Sequence, residues 1–317
     1  MSSKDVSIYR AKDDVTDILK TAIKESDIRG KNKVFIKPNM SHPEYLPGVV
    51  TSPELLNEIV ELLRDSVSEV IVGESNGFNY PCWSAFDKTG IEKAVKKAGG
   101  KVINLSEDEI VKVKFENCNS VKQLFLPKTV LSSDAMVDLP LMKTHEFTLY
   151  SGAIKNLFGC VPSNRRIYLH PYLPEVFYRL YSIFNPDLTI MDARVGIEGN
   201  GPTKGDPVSL GLILTSTDAL AIDIVATRIM KLNWKSTYLN YISKRANFDE
   251  AEIVVKGLQV EEIAHRFKPP RIDLPVKAQM EIYKHEYLTK LFFCSLDIVK
   301  LFQKITFAYR GESIETC

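Results

Sequence analysis

The chain has 317 residues, enough for one large domain or two ordinary ones, and its 44% hydrophobic content suffices for a buried core. With 41 basic against 40 acidic residues the net charge is +1, which argues against a generic nucleic-acid binder but leaves room for a local basic pocket. Residues 1–10 are polar and carry no apolar signal segment, and the apolar-looking stretch 291–307 is broken by Asp297, Lys300, Gln303 and Lys304, so neither secretion nor a membrane span is expected. Five cysteines, at 82, 118, 160, 294 and 317, never form a Cys-x-x-Cys pair. That excludes a disulfide framework and a self-contained zinc or iron–sulfur site, and the cytoplasm is the expected location.

Short β-branched runs alternate with helix-period stretches, the pattern of a mainly parallel α/β sheet layered with helices. Val34-Phe35-Ile36 reads as a buried strand ending at Lys37-Pro38-Asn39. Thr51-Ser52-Pro53-Glu54 has the composition of a helix start, and that helix runs to about Arg64. A strand at 70–72 closes on Gly73-Glu74-Ser75; a helix over roughly 84–98 stops at Gly99-Gly100; another strand covers 101–105. Strands follow at 135–137, 188–191, 208–214 and 253–255, with helices at 219–230 and 260–267. No internal repeat or low-complexity tract is visible. Lys268-Pro269-Pro270 to Pro275 marks a linker, because adjacent prolines cannot sit inside a helix or central strand. The expected organisation is an α/β domain over 1–267 and a linker with an amphipathic helical extension over 268–317. Its one or two helices at 276–307 either pack on the domain or meet a partner.

In open parallel sheets ligands collect beyond the carboxyl ends of the strands, and here polar residues gather at those places. Lys37 and Asn39 follow one strand, Glu74 and Ser75 another, Lys143 and His145 a third, Asp192 and Glu198 a fourth. Lys37, held by a rigid proline, can pair with a phosphate or carboxylate; the alternative is a solvated lysine at a strand end. His145 can shuttle protons near neutral pH, with Lys143 lowering its pKa, although a lone histidine also serves in packing. Ser151 and Lys155 stand four apart, on one face if the segment is helical. They can form a nucleophile and base, or, as preferred here, a helix N-terminus that presents N–H groups to an anion with Lys155 and Asn156 beside it. The loop Gly196-Ile-Glu198-Gly199-Asn-Gly201-Pro202-Thr-Lys204-Gly205 lacks a nucleotide-binding fingerprint, yet Gly199 and Gly201 would let backbone amides approach a ligand closely. Asp192 and Glu198, with Glu74, Asp218 and Asp223, offer oxygen ligands for a divalent metal such as Mg²⁺, though no fixed spacing demands one.

Taken together, Lys37-Pro-Asn39, Pro140-Leu-Met-Lys143-Thr-His145, Gly152-Ala-Ile-Lys155-Asn-Leu-Phe-Gly159 and the stretch from Asp192 to Gly205 resemble the family of domains of unknown function numbered 362. Its members are often labelled iron–sulfur-centre proteins, and the resemblance covers about residues 34–267. It implies an α/β domain with no generally assigned activity, and raises the expectation that Lys37, Lys143, His145, Lys155 and Asn156 form a site. Many members carry a ferredoxin-like module with Cys-x-x-Cys repeats. This chain departs there, with only Cys294 and Cys317 beyond residue 267, so no intrinsic iron–sulfur cluster is expected.

The functional expectation is an enzyme acting on a small phosphorylated or carboxylated molecule. Lys37, Lys143 and Lys155 would clamp the anion, His145 would act as general acid/base, and Glu198 or Asp192 would hold a metal or take a proton. The competing expectation is a non-catalytic partner in a redox or cofactor-maturation pathway, docking through its C-terminal helices. No nucleic-acid partner is expected.

Overall fold

The computed structural model describes residues 4–77, 80–116 and 120–293, together with 298, 301, 304–306 and 308–309. Residues 294–297, 299–300, 302–303 and 307 of the expected 276–307 helical stretch, and Cys118 and Cys317, lie outside the described residues. The strands are β1 (Asp5–Arg10), β2 (Lys33–Lys37), β3 (Glu69–Glu74), β4 (Lys101–Asn104), β5 (Ile110–Lys114) and β6 (Gln123–Pro127). They continue with β7 (Ala135–Asp138), β8 (Leu141–His145), β9 (Leu149–Ser151), β10 (Leu188–Glu198), β11 (Asp206–Ser216) and β12 (Val254–Gly257).

One mixed sheet runs β12-β1-β11-β10-β7-β2-β3-β4, with β8 attached to β10 and β9 attached to β8, while β5 and β6 form a separate hairpin. From β10 to β4 every pairing is parallel; β11 is antiparallel to both its neighbours, β10 and β1. The parallel strands read as unbroken apolar runs because both faces are covered. Val34, Ile36, Val70, Val72, Ala135 and Val137 pack with helices Val15–Glu25 and Pro53–Arg64, whereas Phe35, Ile71 and Met136 point into the opposite layer with helix Leu173–Phe184. A third cluster joins β1, β10 and β11 to helices Ala219–Ile229 and Tyr238–Arg245.

The α/β architecture is as the sequence predicts; several details differ. β1, the helix Val15–Glu25, the β5–β6 hairpin and the β8–β9 hairpin were not anticipated. The expected 84–98 helix is two helices, Cys82–Lys88 and Ile91–Lys97, separated by Gly90 at φ 77°. The expected 260–267 helix stops at Ile263, and Phe267 instead enters the core. Helix Pro53–Arg64 begins as its composition predicts: the Ser52 hydroxyl accepts from Leu55 N at 3.3 Å, and Pro53 occupies the first turn.

The arrangement that places the site is a hand-over along β10. Its first residues pair with β7, and after Leu139-Pro140 the chain resumes as β8, which pairs with β10 further along. β8 therefore projects past the carboxyl ends of β2, β3 and β7, and the β8–β9 hairpin returns the chain over those ends. The short turn Ala153–Asn156 is fastened there by Asp223, which accepts from Ala153 N (2.7 Å), Ile154 N (3.0 Å) and the Tyr150 hydroxyl (2.8 Å). Asp223→Ala leaves these buried donors without a partner, so unfolding free energy should drop by about 3 kcal/mol in denaturant melts. An unchanged midpoint would remove Asp223 as the anchor.

Beyond the linker, helices Leu274–Tyr283 and Glu286–Phe293 lie against residues 167–172. Tyr283 stacks on His170 with ring centroids 4.4 Å apart and meets Phe147 edge-on at 5.6 Å, and the Tyr172 hydroxyl donates to Glu286 at 2.9 Å. Among the described residues no helix is long and apolar enough to cross a membrane.

Candidate functional site

Lys37, Glu74 and Asp138 end three neighbouring parallel strands. Lys37 Nζ donates to Glu74 Oε2 at 2.5 Å and to the Pro38 carbonyl at 2.7 Å, with the lysine side chain wholly buried. Glu74 Oε1 accepts from Ser75 N at 2.8 Å, so the carboxylate is held at both oxygens. Gly159 makes room for this pair: a Cβ there would stand 2.6 Å from Glu74 Oε1 and 2.8 Å from Lys37 Nζ.

A second set of polar side chains crosses the strand ends in one line. Lys143 Nζ donates to Asn39 Oδ1 (2.8 Å), Ser41 Oγ (3.1 Å) and the Val49 carbonyl (2.7 Å). Asn39 Nδ2 donates to Asn156 Oδ1 (3.0 Å), and Asn156 Nδ2 donates to Asp138 Oδ1 (2.7 Å). Burial pushes the Asp138 carboxyl well above the usual carboxylate range, against the opposing Asn156 and Lys37, and its Oδ2 has no partner. Burial thus favours the protonated form of Asp138. Burial and the charge of Lys155 hold the Lys143 amine well below its ordinary value.

In front of these networks lies a cavity of about 340 Å³. Its polar wall includes Asn39, Glu74, Ser75, Ser151, Lys155 and Arg166, and Tyr80 and Phe158 supply an aromatic side. Lys155 Nζ makes no hydrogen bond or ion pair with a described residue; burial and the nearby Arg166 charge lower its amine to about 8. An Arg166 guanidinium nitrogen donates to the Asn76 carbonyl. The Ser75 hydroxyl, in a residue only 2% exposed, has no partner. Because the Glu74 carboxylate is already paired with Lys37, Lys155 and Arg166 leave the cavity wall with an excess of basic groups.

Of the residues the sequence singled out, Asn39, Glu74, Ser75, Ser151, Lys155 and Asn156 line this cavity. Lys37 and Lys143 lie behind the wall, each spent on protein groups, so they hold Glu74 and Asn39 in place rather than facing a ligand. His145 ends β8 and also stays off the wall. Its Nδ1 accepts from Phe147 N at 3.1 Å, and burial, with Lys155, His170 and Lys143 nearby, keeps the imidazole well below its ordinary pKa. Ser151 ends a strand rather than sharing a helical face with Lys155. The helix N-terminus expected to meet an anion is also different: the N–H groups of Ala153 and Ile154 are taken by Asp223.

The glycine loop is the β10–β11 hairpin connection. Its amides are used internally, Gly199 N to the Lys268 carbonyl (2.9 Å) and Gly201 N to the Gly199 carbonyl (2.8 Å). Gly201 is required by closeness, since a Cβ would stand 2.1 Å from the Thr144 carbonyl; Pro202 and Thr203 are the loop residues that reach the cavity. Glu198 is bound by Lys268 (Nζ 3.0 Å, N 2.9 Å) and Asp192 by Arg194 (2.9 and 2.7 Å), and neither lines the cavity. Asp218 caps helix Ala219–Ile229. Among the described residues no three His, Cys, Asp or Glu side chains gather as a metal set. Cys82 and Cys160 are buried free thiols that burial pushes up in pKa. Arg166 was missed from sequence; the basic pair Arg165-Arg166 soon after Gly159 is the signal that could have found it.

The strand-end lysines, the Lys155–Gly159 turn and the loop above them fall inside residues 34–228, which match the family described as Domain of unknown function (DUF362). The chain belongs to this family. A DUF362-family chain thus keeps its motif lysines at one sheet end, two buried in support and one facing the cavity. A thylakoid-associated protein of Synechocystis sp. is 28% identical over 221 residues, covering 65% of each protein. The chain accordingly spans about 65% of that relative's length. Among solved structures, the lactate racemase apoprotein from Thermoanaerobacterium thermosaccharolyticum aligns with a TM-score of 0.46 at 16% identity, over 72% of this chain and 57% of that one. That likeness carries no functional inference.

Proposed function

We propose that the protein is an enzyme acting on a small anionic molecule, phosphorylated or carboxylated, bound in the strand-end cavity by Lys155 and Arg166. The observation that carries this reading is the pairing of unneutralised cations with a buried, unpartnered hydroxyl at Ser75 in one concave site. Such a site is expensive to maintain for packing alone, since an unpaired buried hydroxyl costs about 1–3 kcal/mol. Glu74 is the carboxylate within the cavity able to accept a proton, with Lys37 fixing its orientation. His145, expected from sequence to be the acid/base, is better placed to position the β8–β9 hairpin. In this reading the protein works in the cytoplasm on a soluble metabolite.

A thermal-shift panel of small phosphates and carboxylates tests this directly. Stabilisation of the wild type by at least one of them, lost in Arg166→Met, is expected. If no anion stabilises the wild type more than chloride at equal ionic strength, the reading fails.

A second reading, docking to a protein partner through the C-terminal helices, is favoured by the exposure of Leu274 and Tyr287, 64% and 75%. Replacing both with Ser should abolish capture of a defined partner while leaving anion binding intact.

A further inference from the structure

Lys155 differs from the two other motif lysines. Lys37 is matched to Glu74 and the Pro38 carbonyl, and Lys143 to Asn39, Ser41 and the Val49 carbonyl. Lys155 Nζ has neither a carboxylate nor a hydrogen-bond acceptor among the described residues, although its side chain is half-buried in a polar cavity. A lysine meant only to neutralise an anion gains from staying charged. A lysine meant to attack must shed its proton, and desolvation beside another cation achieves that. Lys155 acts on Lys143, His145 and His170 and is acted on by Arg166, all basic, while the Glu74 carboxylate in the same cavity is paired with Lys37.

We infer that Lys155 is a nucleophile that forms an imine with the carbonyl of a small 2-oxo acid whose carboxylate is held by Arg166. This inference rests on the anion-site reading and names its substrate class. The unpartnered Ser75 hydroxyl and the Glu74 carboxylate stand in the same cavity and supply the proton traffic the reaction needs. The neutral Lys155 amine adds its lone pair to the carbonyl carbon, and the C=O π pair moves to oxygen, which takes up a proton. The added nitrogen, now cationic, gives up one proton to form the neutral carbinolamine, which loses that oxygen as water by taking one further proton while the nitrogen lone pair forms the C=N bond. The sum is amine, ketone and one proton giving a protonated imine and water, with no oxidant or reductant. The protonated imine restores the positive charge at nitrogen and withdraws electrons from the adjacent carbon, which is the purpose of such an intermediate. At pH 7 an amine lowered to about 8 is roughly one-tenth neutral, against well below a thousandth for an ordinary lysine.

The full chain is incubated with pyruvate, or separately with glyoxylate and phenylpyruvate, and sodium borohydride, then digested and mapped by mass spectrometry. In parallel, Lys155 labelling by the anionic amine reagent trinitrobenzenesulfonate is followed from pH 6 to 10 in the unliganded protein. Expected are a reduced adduct on Lys155 that sulfate suppresses, and trinitrophenyl labelling at Lys155 on the order of tenfold faster than at exposed lysines at pH 7, with a midpoint near 8. Sulfate binding without either signature overturns the imine and leaves the anion site standing. Absence of sulfate binding as well overturns both.

Discussion

Sulfate should bind this protein about 25-fold more weakly at pH 9.5 than at pH 7.5. The sign follows from Lys155: its amine is lowered to about 8, so it is charged at the lower pH and neutral at the higher one, and the anion favours the charged form. Sulfate itself does not titrate in this range, and Arg166 stays charged throughout, so the slope reports Lys155. Titration calorimetry at both pH values measures it. Lys155→Met should weaken binding at pH 7.5 to near the wild-type value at pH 9.5 and flatten the dependence. A wild-type affinity that stays level across the interval would mean that the anion does not meet Lys155. A steep dependence that survives in Lys155→Met would assign it to another group, with Lys143, His145 and His170 the nearby titratable neighbours.

Glu74→Ala is expected to be the most destabilising single change at the site, by about 3–5 kcal/mol in unfolding free energy. The reason is what it leaves behind. Lys37 is fully buried, and without Glu74 its charge retains only the Pro38 carbonyl. Lys37→Met together with Glu74→Leu should recover most of that loss, because a buried ion pair replaced by apolar groups of similar size is often neutral. Chemical denaturation of Lys37→Met, Glu74→Leu and the double variant closes the cycle. A double variant as unstable as Glu74→Ala would show that packing around Gly159, rather than the uncompensated charge, sets the cost. The double variant should fold yet lose the proton-accepting carboxylate, which separates stability from activity.

Much of the strand-end geometry was legible because both-sided burial writes itself into sequence. Runs such as Val34-Phe35-Ile36 and Val70-Ile71-Val72 have no polar alternation, and a sheet covered on two faces is what allows that. The ends of those runs then located Lys37, Asn39 and Glu74. The division of labour among the lysines was not legible. Whether a lysine faces a ligand depends on what else satisfies it, and the partners here come from far away in the chain. Lys37 meets a residue 37 positions on, and Lys143 meets Asn39 across 104 positions. Arg166 was hidden for a related reason: a short basic turn such as residues 163–166 looks like solvated surface until the β8–β9 hairpin brings it over the sheet. The helix N-terminus expected near Ser151 failed because Asp223, from a helix 70 residues later, takes its donors.

The line of side chains from Lys143 through Asn39 and Asn156 to Asp138 has a direction. Lys143 Nζ donates to three acceptors, Asn39 Oδ1 among them, and so stands at the head; Asp138 Oδ1 accepts from Asn156 Nδ2 and so terminates the tail. Between these two stops neither asparagine amide can turn over without setting donor against donor. The wall that Asn39 and Asn156 present to the cavity is therefore not an adaptable surface but a fixed lettering of one carbonyl and one amide after another, readable in one sense only.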